Sequence, residues 1–355
     1  MTTIELYQLN LSTNKIILLD QITARSNLQW FTSKNAIGQC SFDLDAVDTK
    51  ANINNLYRFR TLVVIKDNNI IRWFGPITKI TGGYSRATSK ITVMCNTYLF
   101  YFSKRLTSKF DNISANNTDV GQIMWNLITY SQNLSNGNLF ITQGITQTSI
   151  NQTITYQRQI IQTAITDLSN LINGPSFNFD ALTDSNGHFS GVIFNVYGGL
   201  GVSRTDLPPL ELGKNVQGIT FSTQNDIYNS VFGEGSGSGT DILSDYQEDN
   251  FSQIAFLRSE YFNPQKSISI NQNLIDNDLM FLNNNKGDIY DINVEIIPNS
   301  NPNYGDFQIG DYLSLNLYKS GTLIDFRGVY QIKEINVQCS NNDTKTITLK
   351  FRITK

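Results

Sequence analysis

Ten residues in the first third of the chain are echoed near its end. Ile71-Arg72-Trp73-Phe74-Gly75-Pro76-Ile77-Thr78-Lys79-Ile80 lies over Ile324-Asp325-Phe326-Arg327-Gly328-Val329-Tyr330-Gln331-Ile332-Lys333. An apolar run precedes each copy, Leu62-Val63-Val64-Ile65 in the first and Leu313-Ser314-Leu315-Asn316-Leu317 in the second. A polar turn and an alternating strand follow each, Lys90-Ile91-Thr92-Val93-Met94-Cys95 and Thr346-Ile347-Thr348-Leu349-Lys350-Phe351. Strand patterns repeated in this way predict two similar β-domains in one polypeptide. An assembly of such chains presents twice as many like surfaces as it has chains.

With 355 residues there is room for two or three domains with sizeable cores. A 40% apolar share argues against wholesale disorder, while only 16% of residues are charged, leaving Asn, Gln, Ser and Thr to make the polar surface. A net charge of −3 gives no basic footprint, so nucleic-acid binding is disfavoured. The start, Met1-Thr2-Thr3-Ile4-Glu5-Leu6, has no basic segment followed by an apolar core, and no secretory signal is expected. No run approaches the roughly 18 apolar residues of a membrane span. Cys40, Cys95 and Cys339 are scattered and odd in number, which predicts buried thiols in a reducing compartment.

Residues 1 to about 105 read as short strands of a small barrel or sandwich. Ile16-Ile17-Leu18-Leu19 is one, and Cys40, Phe42 and Leu44 share a face of another. Lys66-Asp67-Asn68-Asn69 turns a hairpin between 62–65 and 70–74, and Gly82-Gly83 predicts a further turn. The character changes near residue 111. Asp119 with Gln122 resembles a capping box, followed by Val120, Ile123, Met124, Leu127 and Ile128 at helical spacing. A second helix is predicted over 157–173, where Ile161, Ala164, Ile165, Leu168, Leu171 and Ile172 form a stripe and Gly174-Pro175 ends it. Strands resume at 177–179 and 191–197. Gly233-Glu234-Gly235-Ser236-Gly237-Ser238-Gly239 predicts a flexible loop, and Leu274, Ile275, Leu279 and Leu282 predict a helix over about 272–285. Gly310-Asp311 turns into the last strands.

Catalytic chemistry finds few carriers. The one histidine, His188, sits in the polar turn Asp184-Ser185-Asn186-Gly187-His188, and no GxSxG elbow supplies a serine for a triad. Zinc sites lack ligands. The glycine run lacks the GK[ST] ending of a phosphate cradle. Asp241, Asp245, Glu248 and Asp249 would share one face of a helix, and Asp43, Asp45 and Asp48 cluster on the first domain. Paired acids of this kind carry glycoside hydrolysis, and neither group has calcium-loop spacing. No catalytic, cofactor or metal residue is therefore assigned. The 16 Tyr, 21 Phe and 3 Trp are expected in β cores and protein interfaces; the rival use is sugar stacking, in which exposed Trp30, Trp73 and Tyr residues would grip a glycan.

The order of the pieces resembles the tail hub, or baseplate hub, family of long-tailed phages. The matching elements are Gly38-Gln39-Cys40-Ser41-Phe42-Asp43-Leu44, then Phe74-Gly75-Pro76-Ile77, then Asn229-Ser230-Val231-Phe232-Gly233-Glu234-Gly235. A helix at 272–285, Ile309-Gly310-Asp311-Tyr312-Leu313 and Gly328-Val329-Tyr330-Gln331-Ile332 complete the series. Ser259-Glu260-Tyr261-Phe262-Asn263 matches the family's next element only loosely. The resemblance implies a mainly β fold with an α/β insert: two similar small β-barrel tube-type domains, 1–105 and 229–355, flanking a mixed α+β middle domain, 106–228. It implies a non-enzymatic structural protein of the virion, assembled in the host cytoplasm. Three chains would form a pseudo-sixfold ring joining a sixfold tail tube or distal tail protein to a threefold spike, fibre or receptor-binding protein, with a tape measure protein as a further neighbour. DNA would pass through a polar lumen, with lumen-facing carboxylates among Asp43, Asp45, Asp48, Asp306 and Asp311. Any wall-degrading part would sit on another polypeptide. The alternatives are a carbohydrate-binding tail-tip protein and a carboxylate-based cell-wall hydrolase.

Overall fold

Residues 61–67 are buried at every position, because the strand they form is covered on both faces. The computed structural model describes residues 1–354 except 24, 53, 85–88, 108–112, 172–173, 224–225 and 267. Its first seven strands are β1 (Thr2–Asn10), β2 (Lys15–Ile22), β3 (Ser26–Ser33), β4 (Gln39–Leu44), β5 (Thr61–Asp67), β6 (Ile70–Tyr84) and β7 (Ser89–Asn96). Side chains alternate across a strand, so Val63 and Ile65 of β5 enter one core while Leu62 and Val64 enter another. Each fully buried aliphatic contributes roughly 1.5–3 kcal/mol.

The middle of the chain builds β8 (Ile113–Asp119), α1 (Val120–Asn133), β9 (Ile141–Gln143), β10 (Asn151–Tyr156), α2 (Ile161–Ser169), β11 (Ser176–Thr183) and β12 (Phe189–Tyr197). β9, β11 and β12 form one small sheet, and β8 pairs with β10 in a ribbon. The α1 and α2 stripes join β12 in a core that also takes Tyr7, Leu9, Leu62 and Val64. The middle unit is thus seated on the outer face of β1 and β5. Asp119 caps α1, its Oδ1 accepting from Gly121 N at 2.8 Å, but Gln122 turns to Asn126 instead of closing the expected box. Helix α2 stops at Ser169, short of Gly174, where Asn170 leaves the helical backbone region with φ −91° and ψ 6° and shares its N–H between Thr166 O and Asp167 O. Ile172 lies outside the described residues.

The rest of the chain forms β13 (Leu210–Glu211), β14 (Val216–Thr223), β15 (Ser230–Glu234), β16 (Ser244–Glu248), α3 (Asn250–Phe256), β17 (Glu260–Pro264), α4 (Asn271–Asn285), β18 (Ile289–Ile296), β19 (Tyr312–Tyr318), β20 (Asp325–Cys339) and β21 (Lys345–Thr354). The expected 272–285 helix is α4. The glycine run corrects its prediction: Gly233 and Glu234 belong to β15, and Ser236 N–H donates to Ile268 O, so its first half is fixed in the sheet. Gly82 and Gly83 likewise do not turn, since they pair with Ile91 and Lys90 inside β6.

The chain is mainly β, and the predicted duplication is visible in its ladders. Strand β6 pairs with β5 through its first half and with β7 through its second, while β20 treats β19 and β21 in the same way. The register breaks between Ile77 and Lys79 in one and between Ile332 and Glu334 in the other. Gly75 and Gly328 lie opposite Val63 and Leu315, but for different reasons. A Cβ on Gly75 would stand 1.8 Å from Asn96 O, whereas Gly328 holds φ +143°. The two halves meet where β20 pairs antiparallel with β3, Val337 opposite Trp30. One 13-stranded sheet results, and Trp73, Ile77, Phe326 and Ile332 from the two copies of the motif share one core.

Candidate functional site

The sheet β16-β15-β17 shows two unlike faces, each set by the period of two. Gly233 pairs with Asp245 on one side and Asn263 on the other, and this row faces α4. Phe232, one residue earlier, pairs with Tyr246 and Phe262, and that row faces outward.

On the inner face Tyr261 stacks on Phe281 of α4, centroids 4.1 Å apart, and Val231 and Leu274 are fully buried. Between these apolar contacts stands the carboxyl of Asp278, 0% exposed. Asn263 Nδ2 donates to its Oδ1 at 2.7 Å and to Asn277 Oδ1 at 2.8 Å. Its Oδ2 would lie 1.7 Å from a Cβ on Gly233, so only glycine leaves room for it. Burial, opposed by the Asn263 hydrogen bond and reinforced by the neighbouring Asp245 carboxylate, pushes Asp278 up to about 6. Asp278 is sealed from solvent, so a sugar chain has no access to it as an acid or base. The carboxyl therefore keeps its proton to a higher pH than an exposed aspartate does.

The outer face is aromatic. Phe232 and Phe262 stack with centroids 6.0 Å apart, and Arg258 donates to Tyr246 Oη at 2.8 Å. All three rings are exposed, and the following α3 adds Phe251 at 87% and Ile254 at 82% exposure, with Leu257 just beyond at 78%. Exposed apolar groups in this number mark a surface made for protein contact. No sequence signal pairs Tyr246 with Phe232, because the register that joins them is long-range.

The other candidates scatter. Asp241 lies in a short 3-10 turn, Asp245 and Glu248 lie on β16, and Asp249 caps α3, so the acidic helix face does not form. Asp43 and Asp311 are buried, which removes these two from the candidate lumen-facing carboxylates. Asp43 accepts from Asn27 Nδ2 and Thr92 Oγ1 at 2.6 Å and pairs with Lys90 at 2.8 Å. Burial works to raise its pKa, and these partners outweigh it, leaving Asp43 below its ordinary value. Asp311 accepts from Val202 N and Gln308 N, both at 3.0 Å. Asp45 and Asp306 are exposed, and Asp48 is half-buried. Trp30 and Trp73 are also buried, each donating its indole N–H inward, to Tyr304 Oη and Phe31 O. The tryptophan-based sugar site therefore has no exposed platform. His188 is part-exposed in its turn beside Asp184. The three thiols are free and buried, with Cys40 directly opposite Cys95 across β4 and β7. Among the described residues, no group of three or more His, Cys, Asp or Glu could hold a metal ion, and no helix is long and apolar enough to cross a membrane.

The fold is shared with tail proteins. A tail protein from Neisseria meningitidis superposes with TM-score 0.60 at 9% identity, covering 99% of this chain and 96% of its own. A 43 kDa prophage tail protein from Shewanella oneidensis gives 0.63 at 11% identity, covering 98% and 97%. A component of the Escherichia coli type VI secretion system, itself described as similar to T4 bacteriophage tail proteins, gives 0.54 at 12% identity over 95% of this chain and 75% of its own. No family model and no curated protein sequence matches the chain.

Proposed function

We propose that this chain is a structural tail hub of a bacteriophage, a trimer whose two tube-type barrels per chain make a pseudo-sixfold ring. The observation that carries the reading is the paired ladder system, β5-β6-β7 and β19-β20-β21, fused through β3 and β20. Three rigid chains with two like halves offer six similar surfaces to a sixfold tube and threefold ones to a spike or fibre. The near full-length likeness to two tail proteins supports it. In this reading residues 1–105 and 229–355 are the barrels and 106–228 is the middle unit, except that β14 leaves the middle unit to pair with β18 of the second barrel. A distal tail or tail tube protein binds one face, and a spike, fibre or receptor-binding protein the other. A tape measure protein is a further neighbour, DNA passes through the ring, and the particle is assembled in the host cytoplasm. The role is structural rather than enzymatic.

Native mass tests it. One chain weighs 40.0 kDa, so light scattering behind size exclusion should read near 120 kDa, and images should show a ring with a hole. A dimer, or a monomer that persists at the highest attainable concentration, would overturn the self-assembled ring.

A further inference from the structure

Tyr57-Arg58-Phe59-Arg60, on the segment that leads into β5, alternates rings with guanidinium groups, and all four are exposed. Phe59 holds φ +62°, a left-handed backbone that costs a bulky residue on the order of 1–3 kcal/mol. Two hydrogen bonds keep it there. Its N–H donates to Ile77 O at 2.7 Å, and its carbonyl accepts from Tyr101 Oη, also at 2.7 Å. The strained backbone lays the Phe59 ring flat on Phe100, with centroids 5.8 Å apart and planes 6° apart. Each ring carries a cation: Arg58 Cζ lies 5.2 Å from the Phe59 centroid, and Lys104 Nζ lies 5.6 Å from that of Phe100.

These groups line a cleft of about 490 Å³ whose apolar side is leucine and whose other charges are Arg60 and Arg105. Among the described residues no carboxylate lines it. Arg105 Nη1 donates to Ser131 Oγ and Gly137 O, both at 2.8 Å, near the C-terminal end of α1. Those acceptors are neutral, so the guanidinium is locked in place without being neutralised. Among the described residues none of the four cations has an ion-pair partner. The chain carries 30 acidic against 27 basic residues, so four cations gathered without an acid are a local excess.

We propose that this cleft docks an acidic segment of a partner polypeptide, with an aromatic or branched aliphatic side chain against the Phe59–Phe100 stack. Its carboxylates lie among Arg58, Arg60, Lys104 and Arg105, where guanidinium forks accept them in pairs. A nucleic-acid strand fits less well, because it needs a charged groove that follows its backbone, and these cations form one closed cluster. The inference stands without the trimeric ring, since it rests on the surface of a single chain.

A random peptide library selected against the full-length chain tests it, with calorimetry of the recovered peptides on wild type and on the double variant Arg58→Glu, Lys104→Glu. Both substituted side chains are exposed, so the variant should fold. The expected peptides carry Asp or Glu beside an aromatic or branched residue. They should lose about tenfold or more in affinity on the double variant, and weaken as salt rises. Phe59→Gly relieves the strained backbone while removing the ring, and should weaken the same peptides without lowering stability. The proposal is overturned if no peptide is recovered, if the peptides show no acidic excess, or if the double variant binds them equally. Displacement of the peptides by an equal concentration of oligothymidylate would overturn it in favour of single-stranded nucleic acid.

Discussion

Replacing Asp278 by Asn isolates one proton. The carboxyl is raised from 3.8 to about 6. The shift makes ionising it inside the fold cost about 3 kcal/mol, at about 1.4 kcal/mol per unit. The folded pKa lies above the unfolded one, so the folded state holds the proton more tightly. Its stabilising contribution is complete below about pH 4 and is lost as pH rises through about 6. An amide keeps the shape, accepts from Asn263 as before, and carries no charge at any pH. Asp278→Asn should therefore match wild type near pH 4 and exceed it by up to about 3 kcal/mol near pH 7.5. Urea midpoints across that range read the difference, and hydrogen exchange in residues 271–285 shows where it arises. Subtracting the two pH profiles removes the titrating groups that do not interact with Asp278, which leaves Asp245 as its one coupled neighbour. Parallel profiles, or a variant weaker than wild type near pH 7.5, would refute the raised pKa of the buried carboxyl.

Gly75→Ala should lower the unfolding free energy by about 3 kcal/mol or more, because its Cβ would stand 1.8 Å from Asn96 O, and a backbone atom cannot step aside. A urea midpoint close to wild type would show that β6 and residue 96 do not meet as described. Lys66 and Glu5 form a buried pair at 2.7 Å, with Lys66 also donating to Gly187 O at 2.9 Å. Lys66→Met should cost about 3–5 kcal/mol by stranding the Glu5 carboxylate, and adding Glu5→Leu should recover much of that loss; additive losses would contradict the coupling.

What the sequence made legible was periodic. Cys40, Phe42 and Leu44 alternate into the core as read, and the α1 stripe from Val120 to Ile128 is buried. These patterns are local, and local spacing is enough to place a face. The Gly82-Gly83 turn and the flexible glycine run were misread because glycine signals two things: freedom of backbone and close approach. At Gly233 the second applies, and its cause, Asp278, lies 45 residues away on α4. Two of the acids were misplaced for a similar reason. Asp43 and Asp311 look like surface charge in sequence, yet backbone and side-chain donors from distant segments draw them inside. The alternation of ring and cation in Tyr57-Arg58-Phe59-Arg60 was readable, but the left-handed turn that stacks it on Phe100 was not.

The strand seam between β3 and β20 changes what the sequence repeat means. Two like β-units joined by a linker would move independently, and each would close its own core. Here six backbone partnerships, from Glu334 opposite Ser33 to Cys339 opposite Leu28, hold the halves in fixed register. The side chains behind the seam, Trp30 and Val337 among them, enter a core that both halves fill. Moving one half against the other would break that ladder and expose those side chains together. The pair therefore behaves as one rigid body with two similar faces at a set spacing. The aromatic row of Phe232, Tyr246 and Phe262 lies on a separate small sheet that the 13-stranded one does not include. Its contacts can therefore differ from those of the two halves, which separates repeated surfaces from a single one within the same chain.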